Sequence, residues 1–95
     1  MRVTGDAGAA KTRERHAMPT VLRSGPYRFL FYSADGVEPP HVHVVRDENR
    51  AKFWLDPVRL HSSGGFTRLE IGRLERIVED NVSDLLRSWN EFFSG

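Results

Sequence analysis

The chain contains no cysteine, so disulfides and thiolate metal sites are both excluded; the absence agrees with a reducing compartment. No apolar run approaches the ~18 residues of a membrane span. The first residues also lack the continuous apolar stretch that a secretory leader carries behind its basic residues. A soluble, cytoplasmic protein is therefore expected. Charge of one sign is scarce too, with 14 Lys and Arg against 13 Asp and Glu. That balance is not the footprint of a protein held on nucleic acid by counterion release. No phosphate loop, dinucleotide fingerprint, internal repeat or low-complexity tract is present.

Residues 1–17 (MRVTGDAGAAKTRERHA) have no aromatic and only two large apolar side chains, Met1 and Val3. They cannot bury enough surface to offset the entropy of ordering them, so they are expected to be disordered. At 95 residues there is room for one domain, expected over residues 18–95. Without the tail, ten basic and eleven acidic residues remain, a net charge of −1. The basic excess lies before Leu69 and the acidic excess after it. A domain this small is marginal alone, which points to an oligomer or a protein partner.

Thr20–Arg23 reads as a short strand closed by Ser24-Gly25-Pro26, a strong turn signal. Tyr27–Ser33 is an aromatic strand with Tyr27, Phe29 and Phe31 on one face, and Ala34–Pro40 is a loop. His41–Arg46 forms the next strand, with His41, His43 and Val45 on one side and Val42, Val44 and Arg46 on the other. Asp47-Glu48-Asn49 suits a three-residue hairpin loop with Asn49 left-handed, returning through Arg50–Leu55. Val58–His61 is a candidate fifth strand, and Ser62-Ser63-Gly64-Gly65 a break. Thr67-x-x-Glu70 then fits a capping box. Behind it Leu74, Ile77, Val78, Val82, Leu85, Leu86, Trp89, Phe92 and Phe93 keep helical spacing. The stripe does not slip at Asn81, which predicts one long helix, with a kink admitted there. Gly72 costs such a helix ~1 kcal/mol relative to Ala, and close packing on the sheet would explain it. The expected fold is α+β, a small antiparallel sheet of four to five strands with a C-terminal helix packed on one face.

Met18-Pro19-Thr20, Phe29–Ser33, Pro39-Pro40-His41-Val42-His43-Val44 and Leu85-Leu86-x-x-Trp89 together resemble the DUF4160 family of short prokaryotic proteins of unknown function. The resemblance spans Met18 to about Phe93. It implies that Met18 is the natural start. It also implies a neighbouring gene for a second small protein, of the DUF2442 family, and a toxin–antitoxin-like pairing. Family members often carry an Asp-His pair before the prolines, whereas here Asp35 is followed by Gly36.

His41 and His43 project to the same side of one strand, and three readings compete. As metal ligands they would need a third group, with His61, Asp35, Glu38 and Asp56 as candidates and none singled out. As an acid–base pair they would suit ribonucleolytic cleavage, with Arg46 or Arg50 neutralising the phosphate. As structural residues, one caps the Pro39-Pro40 turn and the other packs under Tyr27 or Trp54. With no third ligand identified, no cofactor is expected.

Tyr32 and Asp35 flank the same loop and are ordinary there, yet able to complete a pocket. Arg28, Arg46, Arg50 and Lys52 among aromatics are candidates for an anion or single-stranded RNA. Trp89 is expected in the core near Phe29, Phe31 or Trp54. Of Phe92 and Phe93, at least one is expected in solvent as a homodimer or heterodimer contact. The leading expectation is thus a protein-interaction module, half of a toxin–antitoxin-like pair. The alternative is a small RNase-like or metal-dependent enzyme using His41 and His43.

Overall fold

Alternation sets the architecture. In the computed structural model, which describes residues 20–94, five strands follow one another as a meander. They are β1 (Thr20–Ser24), β2 (Tyr27–Leu30), β3 (His41–Arg46), β4 (Asn49–Leu55) and β5 (Val58–Gly64). Every neighbouring pair is antiparallel. Two helices follow, α1 (Arg68–Asp80) and α2 (Val82–Phe93). This is the α+β fold expected. The disorder expected of residues 1–17 and the start at Met18 lie outside the described residues.

Directly paired residues share a face. Phe29, Val44 and Ala51 line up across β2, β3 and β4, and Val42, Phe53 and Leu60 across β3, β4 and β5. This is the face the helices cover, and Phe29, Phe31, Val42, Val44, Phe53 and Leu55 are fully buried on it. Leu74 and Val78 of α1 and Leu85 and Trp89 of α2 complete the core. Each such side chain contributes roughly 1.5–3 kcal/mol by leaving water. The opposite face carries His43 beside Lys52 and Ser62, and Val45 beside Arg50 and Gly64.

Several local expectations are corrected. β2 ends at Leu30, because the chain turns into a 3-10 segment at Ser33–Val37 instead of continuing to Ser33 in extended form. The β3–β4 hairpin pairs Arg46 with Asn49, leaving a two-residue loop in which Asp47, not Asn49, has positive φ (55°). β5 runs on to Gly64, past the expected break, by means of an irregular register at Lys52/Phe53 that leaves His61 out of the pairing. The chain then turns at Gly65 (φ 96°), where a Cβ would collide with the Asn49 side chain. Gly72 has open space around it, so sheet packing does not account for it.

The helical stripe keeps its phase while the backbone breaks. Asn81 leaves helical geometry (φ −115°, ψ 14°), and its side-chain amide donates to the Ile77 carbonyl at 2.8 Å. The Ile77 carbonyl also keeps its bond from the Asn81 backbone N–H (3.2 Å), so at the break one oxygen accepts twice from the same residue. The N-terminus of α1 has the expected reciprocal box, Glu70 N–H to Thr67 Oγ1 and Thr67 N–H to Glu70 Oε1. Glu70 Oε2 also accepts from Tyr27 Oη (3.0 Å) and Arg46 Nη2 (2.9 Å), which ties the helix start to β2 and β3.

Trp89 is 6 % exposed and meets Phe31 edge-on at 5.3 Å. Truncation to Ala should cost about 3–5 kcal/mol in urea unfolding, whereas a surface position of α2 such as Glu91→Ala should change little. For Glu70, burial alone would raise the pKa, but hydrogen bonds from the Thr67 amide and Tyr27 and the Arg46 charge outweigh it and hold the carboxyl below its usual range. Its stabilisation is therefore complete above the unfolded-state pKa and is lost as pH falls through the depressed folded value. Glu70→Gln should be less stable than wild type at neutral pH, with the gap closing in acid; a pH-independent gap in thermal midpoint would contradict this.

Candidate functional site

The site begins with a turn that leaves the sheet and comes straight back. Tyr32 N–H donates to Asp35 Oδ2 at 2.8 Å, and Asp35 N–H donates to the Tyr32 carbonyl at 3.0 Å. These bonds hold the 3-10 segment and give the Asp35 carboxylate one direction. Gly36 passes so close to α2 that an added Cβ would lie 2.7 Å from the Phe93 ring. Phe93 in turn stacks on Trp89 (4.2 Å between centroids). The loop is thus pinned to α2 while Asp35 reaches β3.

Asp35 Oδ2 stands 3.0 Å from His43 Nε2 and 3.2 Å from His41 Nε2. The two imidazoles lie 5.0 Å apart, near perpendicular. His41 is fully buried between Trp54 (5.7 Å) and Trp89 (5.1 Å). Its Nδ1–H donates to the Pro39 carbonyl at 2.9 Å, the turn cap anticipated for one of the histidines. Since a carbonyl only accepts, this bond assigns the tautomer. His43 packs against Tyr32, at 4.5 Å, in place of Tyr27 or Trp54. Burial pushes the His43 pKa down, with the Asp35 charge opposing.

His43 opens into a depression of about 380 Å³ on the face away from the helices, bordered by Tyr32, Arg50, Lys52, Ser62 and Ser63. Arg50 Nη1 donates to the Tyr32 hydroxyl at 3.2 Å. Lys52 Nζ bonds Glu38 Oε1 at 2.6 Å and lies 4.8 Å from the Trp54 ring centre. The Lys52 hydrogen bond is the main reason the Glu38 carboxyl sits below its usual pKa. Tyr32, His43, Arg50 and Lys52 therefore form one hydrogen-bonding wall, cationic at Arg50, since the Lys52 charge is already met by Glu38.

The sequence candidates sort by face. His41, His43, Arg50 and Lys52 come together. Arg46 does not: it lies on the helix side, bound to Glu70 and 5.6 Å from the Phe66 ring centre. His61 pairs with Ser62 Oγ and Trp54, outside the cluster, and Asp56 is exposed in a turn with a cis bond to Pro57. Of the proposed third ligands, only Asp35 joins both imidazoles. Phe92 is 37 % exposed, as expected of one of the pair, while Phe93 is occupied by Gly36, Phe31 and Trp89. Tyr32 was legible only as a loop-flanking residue; its place opposite Arg50 depends on the register of β3 with β4.

Neither a curated protein nor a solved structure matches the chain. A family model, described as a domain of unknown function, matches residues 27–90, from the first residue of β2 to Asn90 of α2. That span contains the 3-10 turn, both histidines and the cationic wall, and on it the chain belongs to the DUF4160 family.

Proposed function

We propose that the depression is the active site of a small enzyme acting on a phosphate ester, of the RNase-like or metal-dependent kind. One observation carries this reading: His43, 3.0 Å from Asp35, opens onto a depression bordered by Arg50, Lys52 and Tyr32, with Arg50 bonded to the Tyr32 hydroxyl. The Arg50 guanidinium and the Tyr32 hydroxyl suit the non-bridging oxygens of a phosphoryl group. The reacting end is the carboxylate–imidazole cluster. A mechanism in which both histidines flank the substrate does not fit, because His41 has no exposed surface. His43 is the imidazole that meets substrate, and His41 acts from behind Asp35.

A second reading keeps the interaction module, half of a toxin–antitoxin-like pair, and rests on α1. Leu69 is 67 % exposed beside Gly72 and Ile77, in a shallow groove edged by Arg68, Arg73 and Arg76. An apolar segment with acidic flanks, supplied by a DUF2442-like neighbour, would match it in shape and charge; Phe92 offers a smaller patch for a second copy of the chain.

The enzyme reading is tested with bis(p-nitrophenyl) phosphate and a single-stranded ribo-oligonucleotide, with and without added divalent metal. Turnover is expected, with Arg50→Ala raising KM about tenfold or more, the scale of one lost charge-assisted hydrogen bond. His43→Ala should abolish kcat while the circular dichroism spectrum stays unchanged. If wild type turns over neither substrate, or His43→Ala remains active, the enzyme reading fails. Loss of partner capture by Leu69→Ser would then favour the interaction module.

A further inference from the structure

A carboxylate oxygen has two lone pairs in its plane, and Asp35 Oδ2 is approached by three nitrogens. Tyr32 N–H and His43 Nε2 make hydrogen bonds to it, at 2.8 and 3.0 Å. The third, His41 Nε2, stands 3.2 Å away and has no hydrogen-bond partner among the described residues. It belongs to a fully buried side chain. Because His41 Nδ1–H is given to Pro39, Nε2 is the ring nitrogen left to offer a lone pair. A buried lone pair beside a carboxylate oxygen is unfavourable unless something positive lies between them.

We propose that Asp35, His41 and His43 bind a first-row divalent metal ion, zinc or one of its transition-metal neighbours. The donor set is two imidazole nitrogens and one carboxylate oxygen, which suits these metals and not magnesium or calcium. Bond lengths of about 2.0–2.1 Å to a tetrahedral ion place neighbouring donors about 3.3 Å apart. The oxygen-to-nitrogen separations of 3.2 and 3.0 Å lie close to this, and all three donor atoms fall within 4.8 Å of one another. On binding, His43 takes the tautomer that carries its proton on Nδ1, turning the Nε2 lone pair to the ion, which also occupies the direction in which His41 Nε2 has no hydrogen-bond partner. Two of the three ligands are already held from behind. The Pro39 carbonyl orients His41 and the Tyr32 amide orients Asp35, the supports that metal ligands ordinarily have.

The ion would be reachable from one side. His41 closes the rear, while His43 and Asp35 retain 19 % and 14 % side-chain exposure toward solvent. Three protein ligands leave at least one coordination position for water or substrate, the arrangement of catalytic rather than structural zinc. The phosphate-ester reading would gain a water acidified by the ion, but the site itself does not depend on that reading. Metal binding without turnover supports this site and leaves the substrate wrong; turnover in chelator with no metal bound does the reverse.

The test uses the full chain, stripped with chelator and titrated with zinc or cobalt(II). One equivalent is expected to bind, with cobalt ligand-field absorption reporting nitrogen and oxygen donors and a rise in thermal midpoint on zinc addition. Asp35→Asn, which keeps an acceptor for the Tyr32 amide, and His43→Ala should each weaken binding about 10–100-fold or more. His61→Ala, outside the cluster, should bind as wild type. His41→Ala is avoided, because removing a fully buried ring would confound loss of metal with loss of fold. Absence of stoichiometric binding, its loss in His61→Ala, or its survival in Asp35→Asn with His43→Ala would each overturn the proposal.

Discussion

Trp89 joins the core to the site. Its ring lies 5.3 Å from Phe31, 4.2 Å from Phe93 and 5.1 Å from His41. It thereby holds three things together: the end of the aromatic strand, the end of α2, and the buried imidazole. Remove it and His41 loses one of its two aromatic walls, while Phe93 loses the surface that keeps it against Gly36. The geometry of the polar cluster thus rests on an apolar contact in the last helix. Packing of this kind restricts rotamers more firmly than the polar bonds alone, because interiors have little free volume.

A period of two explains why so small a sheet can carry both a core and a site. Along β3, Val42 and Val44 enter the core beneath the helices while His41 and His43 share the other side, where His41 is itself buried against Trp54 and Trp89. Along β4, Ala51, Phe53 and Leu55 enter the core and Lys52 and Trp54 face away. A one-residue slip would exchange the two sets entirely. The aromatics of the far face then serve the polar groups rather than the core. Trp54 lies beside His41 on one side and the Lys52 ammonium on the other.

Arg46 and Arg50 show what the same residue type becomes in two settings. They are four apart, and the hairpin between them is short. Arg46 falls on the helix side and is consumed by Glu70, forming a strut between the sheet and the start of α1. Arg50 falls on the other side, meets only the Tyr32 hydroxyl among the described hydrogen bonds, and keeps its charge toward solvent. Nothing in composition separates them.

Much of the fold was legible because local chemistry and pattern agree. The strand alternation, the capping box at Thr67 and Glu70, the in-phase stripe through Leu74, Val78, Leu85 and Trp89, and the Pro-Pro-His-x-His motif can all be read residue by residue. What sequence alone could not decide depends on pairings distant along the chain. Asp35 was one of four candidate third partners for the histidines, and only the 3-10 turn pressed against Phe93 selects it. The left-handed residue shifted from Asn49 to Asp47 because strand register, not loop composition, sets the hairpin length. Gly72 looked like a packing glycine and lies in open space, since helix rotation is set by the whole buried stripe. Alternation along a strand is local and determines faces; which loop, helix end and neighbouring strand meet those faces is a matter of tertiary packing, and there the site was decided.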